Sequence, residues 1–234
     1  MYAVRNRAMK AIVAAFAFVI PSCTALAGDL PPGFVRLADV APRIRQDIRY
    51  AGSHNFTGRP VKGYESSQCW LRREAALGLA DVEEDLERRQ WRLVVYDCYR
   101  PKRAVADFVA WAQDVKDQVA RREFYPGIAK KDLFAQGYIA HVSSHSKGIA
   151  VDAGAEQVDG AGQAKPLDFG GSFDLFDPRS WTANKAIPPK AAANRAALVA
   201  AFAAHGFANY AREWWHYSFT ASAGAPALDV PIRE

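Results

Sequence analysis

Two short segments concentrate side chains that could hold a metal ion and move protons. The first runs Ser143-Ser144-His145-Ser146-Lys147-Gly148-Ile149-Ala150-Val151-Asp152, a pattern S-x-H-x-x-G-x-A-x-D. Gly148 permits a tight turn after the histidine. Strand alternation beyond it puts Ile149 and Val151 on one face, Ala150 and Asp152 on the other. A carboxylate among Ala and β-branched residues is costly unless it is paired or bound to a metal. The turn can thus fold His145 over the face that carries Asp152, beside the small Ala150. The second segment is Glu213-Trp214-Trp215-His216. Glu and His three apart share a face on a helix and oppose one another on a strand. The aromatic composition argues for a strand from Trp214 onward, so Glu213 is expected on a bend or bulge entering it. Hydrolysis at zinc needs about three protein ligands, an open position for water and a base beside that water. Each part alone is unspecific, since a lone His is more often structural and an Asp at a strand end is more often a cap. The two clusters in one chain are far more specific.

The elements that must position these clusters can be read from hydrophobic periodicity. Leu71 to Arg89 has a helical repeat in Leu71, Ala75, Leu79, Val82 and Leu86. Trp91 to Tyr96 reads as a strand, broken by Asp97-Cys98-Tyr99-Arg100-Pro101. Arg103 to Val119 reads as a second amphipathic helix. Tyr138 to Val142 and Ile149 to Asp152 read as short strands, residues 154–190 as loop, and Ala191 to Ala204 as a helix stopped at His205-Gly206. Trp214 to Thr220 is the aromatic strand. Helices and strands lack βαβ alternation, so the expected class is α+β, with a mainly antiparallel central sheet and flanking helices.

The chain has 234 residues, half of them hydrophobic and 24% charged, which suits one globular domain with a real core. Its first stretch reads differently. Arg5, Arg7 and Lys10 precede an apolar run, Ala11 to Ile20, too short to span a membrane. Ala25-Leu26-Ala27 then offers small residues for cleavage. Residues 1–27 are thus expected to be a secretory signal peptide and 28–234 a single mature domain, secreted or periplasmic, with no membrane span. Lipidation at Cys23 is disfavoured by Pro21. Without residues 1–27 the formal charge falls from +5 to +2, which gives no reason to invoke nucleic acid. Two cysteines remain, Cys69 and Cys98. Export favours a disulfide between them over two buried thiols, and two cysteines cannot make a Cys-rich zinc site.

Four stretches carry a family resemblance over essentially the whole mature chain. They are N-F-T-G-R-P-V-x-G-Y (Asn55 to Tyr64), Y-D-C-Y-R-P (Tyr96 to Pro101), the His145 segment and E-W-W-H. The protein resembles the D-alanyl-D-alanine dipeptidases, VanX-like members of a wider zinc-peptidase group that includes D-alanyl-D-alanine carboxypeptidases and the Hedgehog signalling domain. The resemblance implies one Zn2+ per protein molecule on His145, Asp152 and His216, with Glu213 as general base. It implies that Arg100 stabilises the oxyanion, that Ser143 lies near the dipeptide, and that Asp174 and Tyr50 meet the substrate ammonium. The implied substrate is D-Ala-D-Ala or a close dipeptide. Alternatives on the same scaffold are a peptidoglycan carboxypeptidase or endopeptidase, or a zinc-binding module without catalysis, against which Glu213 argues. His54, His141 and His205 are expected to be structural, and Trp214 and Trp215 core and wall.

Overall fold

The computed structural model describes residue 1 and residues 30–234. The signal peptide expected over residues 1–27, with Cys23, lies outside the described residues. In sequence order the described elements are β1 (Phe34–Arg36), α1 (Leu37–Val40), β2 (Arg45–Gln46), β3 (Trp70–Arg72), α2 (Arg73–Glu87), β4 (Trp91–Asp97), α3 (Lys102–Gln113), α4 (Arg121–Phe124), β5 (Ala150–Val158), β6 (Ala164–Pro166), α5 (Pro189–Ala204), β7 (Phe207–Asn209) and β8 (His216–Phe219).

The main sheet runs β2-β4-β5-β8-β7, with β6 also pairing β5. All its pairings are antiparallel except β2 with β4. A separate ribbon joins β1 and β3. The α+β class and mainly antiparallel sheet are therefore observed.

The two faces of the sheet follow from register. Val151 stands opposite Tyr217, and Tyr217 stacks on Phe202 of α5 at 3.8 Å between centroids. That face is the apolar core, where Leu79 and Val82 of α2 and Leu198 of α5 are fully buried. One residue on, Asp152 stands opposite His216 and faces the other way. Asp97 joins their row because β4 carries one extra residue, with Val95 paired to Ala153 but Asp97 paired to Asp152. This bulge re-aims Asp97. Tyr96, the extra residue, lies over Gly154, where any Cβ would come within 2.7 Å of its hydroxyl.

Several sequence expectations need correction. Leu71 belongs to β3, and α2 begins at Arg73. The helix expected to reach Val119 stops at Gln113. Lys130 ends it: its buried ammonium donates to the Trp111 and Asp114 carbonyls at 3.1 and 3.0 Å, leaving Val115 and Val119 exposed. Residues 138–142 form bends rather than a strand. Residues 154–190 are not all loop, since β5 continues to Val158 and β6 follows. The central strand is buried on both faces as far as Glu156, so it lacks the alternation that marks an exposed strand. The last strand begins at His216, two residues later than the aromatic pattern suggests.

Candidate metal centre

His145 sits in a single 3-10 turn, Ser144–Lys147. The Ser143 hydroxyl accepts from the His145 N–H at 3.2 Å and caps the turn. Gly148 closes it at φ 72°, and a Cβ there would fall 2.2 Å from the Phe34 ring. The turn drops the His145 ring onto the Asp152 face, where it is 1% exposed.

Three ligand atoms converge. His145 Nε2 lies 3.2 Å from Asp152 Oδ1 and 3.1 Å from His216 Nδ1, and His216 Nδ1 lies 3.0 Å from Asp152 Oδ1. A tetrahedral zinc site with bonds of about 2.0–2.1 Å separates its ligands by roughly 3.3 Å. The observed spacing therefore fits zinc, and the donor set of two imidazoles and a carboxylate suits it. Among the described residues this is the metal-competent cluster of His, Cys and acidic groups.

The remote atoms of each ligand are also held. The His145 Nδ1–H donates to the Cys98 carbonyl at 2.6 Å, which leaves Nε2 free to coordinate. His216 Nε2 lies 3.2 Å from the hydroxyls of both Ser144 and Ser218. Asp152 Oδ2 faces Arg100 Nη2 at 3.5 Å. Burial opposes ionisation of Asp152, but His145 and His216 outweigh it and hold its pKa below the usual carboxylate range. Burial disfavours the charged His216, but Asp152 more than compensates and leaves its pKa raised.

Glu213 lies in the turn before β8, with its carboxylate 3.8 Å from His216 Nδ1. This is the bend that lets residues three apart reach one site. Burial, reinforced by Asp152, pushes the Glu213 carboxyl up to about 7. Arg100 leaves the end of β4 and is clamped by Asp97 through Nε at 2.9 Å and Nη2 at 2.8 Å. Its guanidinium also lies 5.1 Å from the centroids of both Tyr50 and Phe108.

The second half of the site is a buried acid. The Tyr50 hydroxyl donates to Asp174, 3.0 and 2.9 Å from its two oxygens. Burial, then Asp152, holds Asp174 well above the ordinary carboxylate range. Asp174 has φ 62°, a left-handed conformation unusual for a non-glycine residue and typical of residues held by their surroundings. A cavity of about 280 Å³ opens onto His145, Asp152, His216, Glu213, Arg100 and Asp174, with Tyr50 and Ser143 also in its wall. That is at the small end for ligand sites.

All eight chemistry-bearing positions expected from the sequence thus line one cavity. Trp214 and Trp215 are buried, and Trp215 forms part of the cavity wall. His54 meets Glu123, His205 meets Asp85 and His141 stacks on Phe134, all away from the ligand atoms. Cys69 and Cys98 form a disulfide. Sequence reasoning misses Asp97, Ser144, Ser218 and the Cys98 carbonyl. Asp97 has a visible signal in Y-D-C-Y-R-P, but its direction depends on the bulge.

Comparison with known proteins agrees with this geometry. A family model described as D-ala-D-ala dipeptidase (Peptidase_M15) matches residues 31–232. The D-alanyl-D-alanine dipeptidase of Enterococcus faecium is 37% identical over 185 residues, covering 79% of this chain and 90% of the relative. That of Streptomyces coelicolor is also 37% identical, with the same coverage. That of Escherichia coli is 29% identical over 197 residues, covering 83% of this chain and 88% of the relative. With a match over nearly all the described residues, the chain belongs to the D-Ala-D-Ala dipeptidase family of M15 zinc peptidases.

Proposed function

We propose that the protein hydrolyses D-Ala-D-Ala, or a close free dipeptide, to its amino acids in a zinc-dependent reaction. The carrying observation is a small cavity lined both by the metal ligands and by a buried acid, Asp174. His145, Asp152 and His216 would hold the ion. Bound there, zinc supplies Lewis acidity, polarising the scissile carbonyl and acidifying a water.

The protein's own residues supply the rest. Glu213 accepts a proton from the attacking water and passes it to the leaving amine. Its burial raises its pKa, and a cation held by the three ligands would favour its carboxylate form. Arg100, held by Asp97, presents fixed positive charge to the oxyanion as it develops. Asp174 meets the substrate ammonium, which favours the carboxylate in place of the proton that burial imposes. Tyr50 holds that carboxylate in place. Ser143 borders the dipeptide and caps the turn that carries His145.

The basic n-region, short apolar run and Ala25-Leu26-Ala27 support export, with a single mature domain from Gly28. Among the described residues no helix is long and apolar enough to cross a membrane. An exported enzyme meets dipeptides released outside the cytoplasm, so its work is the recycling of wall fragments or scavenging.

The test incubates the purified protein with three substrates, each with and without chelator: free D-Ala-D-Ala, free L-Ala-L-Ala and an N-acyl-D-Ala-D-Ala peptide. Cleavage of the free D,D-dipeptide, lost on chelation, is expected. Cleavage of the N-acyl peptide alone would replace the dipeptidase by a carboxypeptidase.

A further inference from the structure

We propose that the Cys69–Cys98 disulfide is a positioning device for the metal centre, so that full zinc affinity arises only once the bond has formed. The Cys98 carbonyl is the group that orients His145, at 2.6 Å from Nδ1. The alternative acceptor, Asp97 Oδ2, stands at 3.4 Å and is committed to Arg100. Two residues after Cys98 comes Arg100, whose N–H donates to the His145 carbonyl at 3.2 Å. Residues 98–100 thus set the ligand and the anion-stabilising side chain together.

Those residues lie beyond the end of β4, outside the sheet ladder. Their ties on the far side run to the β1–β3 ribbon. The disulfide joins Cys98 to Cys69 with Cα atoms 5.3 Å apart, and the Tyr99 N–H donates to the Trp70 carbonyl at 2.9 Å. Cys69 is itself anchored, its N–H donating to Gln46 and its carbonyl accepting from the Leu37 N–H. Asp152 and His216 gain their placement from strand pairing, whereas His145 gains its own from a turn and one carbonyl. The bond therefore stabilises the one ligand that the sheet does not fix.

Both cysteines are buried, with Cys98 2% exposed and Cys69 fully covered. The bond acts as a latch closed once during folding. In closing it, the two thiols give up two protons and two electrons to a second disulfide, which leaves as two thiols. In a reducing medium the protein would fold with weakened metal binding and reach full zinc loading only after oxidation. Only its consequence for activity rests on the proposed zinc hydrolysis.

Zinc affinity is measured by competition with a chromogenic chelator for the oxidised full-length protein and for Cys69→Ser/Cys98→Ser, with circular dichroism recorded on the same samples. Loss of an orienting partner typically weakens metal binding by about 10- to 100-fold, and that loss with native dichroism supports the inference. In a second arm, zinc-loaded oxidised protein is treated with a phosphine reductant while free thiols, zinc release and dichroism are followed. Faster zinc release from a still-folded reduced protein is expected, reversed by oxidised glutathione. Unchanged zinc affinity in the double variant, or zinc retained once the free-thiol count shows the bond reduced, would overturn the inference. So would zinc loss that appears only with the loss of the folded signal, including a variant that folds in neither form. If the oxidised wild type binds zinc yet leaves D-Ala-D-Ala uncut, the functional proposal fails and this one stands or falls on the zinc data.

Discussion

Asp152 divides its two oxygens between different partners, with Oδ1 facing both imidazoles and Oδ2 facing Arg100. Glu213 stands off from that cluster at 3.8 Å, where its carboxylate can reach a water. Replacing Glu213 by Gln keeps the shape and removes the proposed base. We expect kcat to fall by roughly 10²- to 10⁴-fold while metal analysis still finds about one zinc per protein molecule. Loss of zinc in that variant would make Glu213 a ligand instead. Gly148 is a different kind of site residue, set by space. Gly148→Ala places a Cβ against Phe34 at a positive φ, and thermal melting should show a loss of at least about 1–3 kcal/mol. Both residues are legible in sequence, one from its distance to His216 and the other from the turn after His145. Asp97 is not, because a bulge of one residue decides which way it points.

At the scale of elements, the joins between helix and sheet carry polar groups that periodicity does not reveal. Glu83, on α2, accepts from the Leu93 N–H of β4 at 2.7 Å, and among the described residues its Oε1 has no hydrogen-bond partner. Burial pushes its carboxyl up to about 7, against 4.5 for the free group. The folded state therefore holds this proton more tightly than the unfolded state. Below about pH 4.5 both states are protonated and there is no penalty. As pH rises towards 7 the unfolded state ionises first, so stability falls, by up to about 3 kcal/mol. Glu83→Gln should flatten that fall, and urea unfolding at pH 5 and pH 8 measures it. A larger pH dependence in the variant would refute the assignment. The end of α3 is a second join. Lys130→Met leaves the Trp111 and Asp114 carbonyls without their donor and should cost roughly 1–3 kcal/mol in denaturant unfolding. Apolar spacing overextends this helix because the pattern continues past Gln113, while the stop comes from a lysine far along the sequence. The same kind of reading shortens the central strand, because both its faces are buried and alternation disappears.

Over the whole molecule, family and fold class are readable because the motifs are local and the class depends only on element order. The pairing of Cys69 with Cys98, expected from an even cysteine pair behind a signal-like segment, is borne out by the structure, whereas its proximity to the metal centre emerges only once the strands are in register. The bond closes a loop of 29 residues in sequence separation. Chain entropy alone then assigns it about 3–4 kcal/mol, and guanidinium unfolding of Cys69→Ser/Cys98→Ser against the oxidised protein should show a loss of that order. The row Asp97–Asp152–His216 has a further consequence. It crosses three adjacent strands, with β5 paired on both sides, so its ligands cannot part without tearing the middle of the sheet. Amides of this ladder should exchange their hydrogens only through global opening. Traffic of dipeptide in and amino acids out must therefore pass the irregular part of the cavity lining, where residues 138–142 form bends outside helix and sheet and Val142 is 84% exposed. The metal side of the chamber is thus walled by paired strands, and the irregular segment lining it is where variation in the rate of egress can be sought without disturbing the ligands.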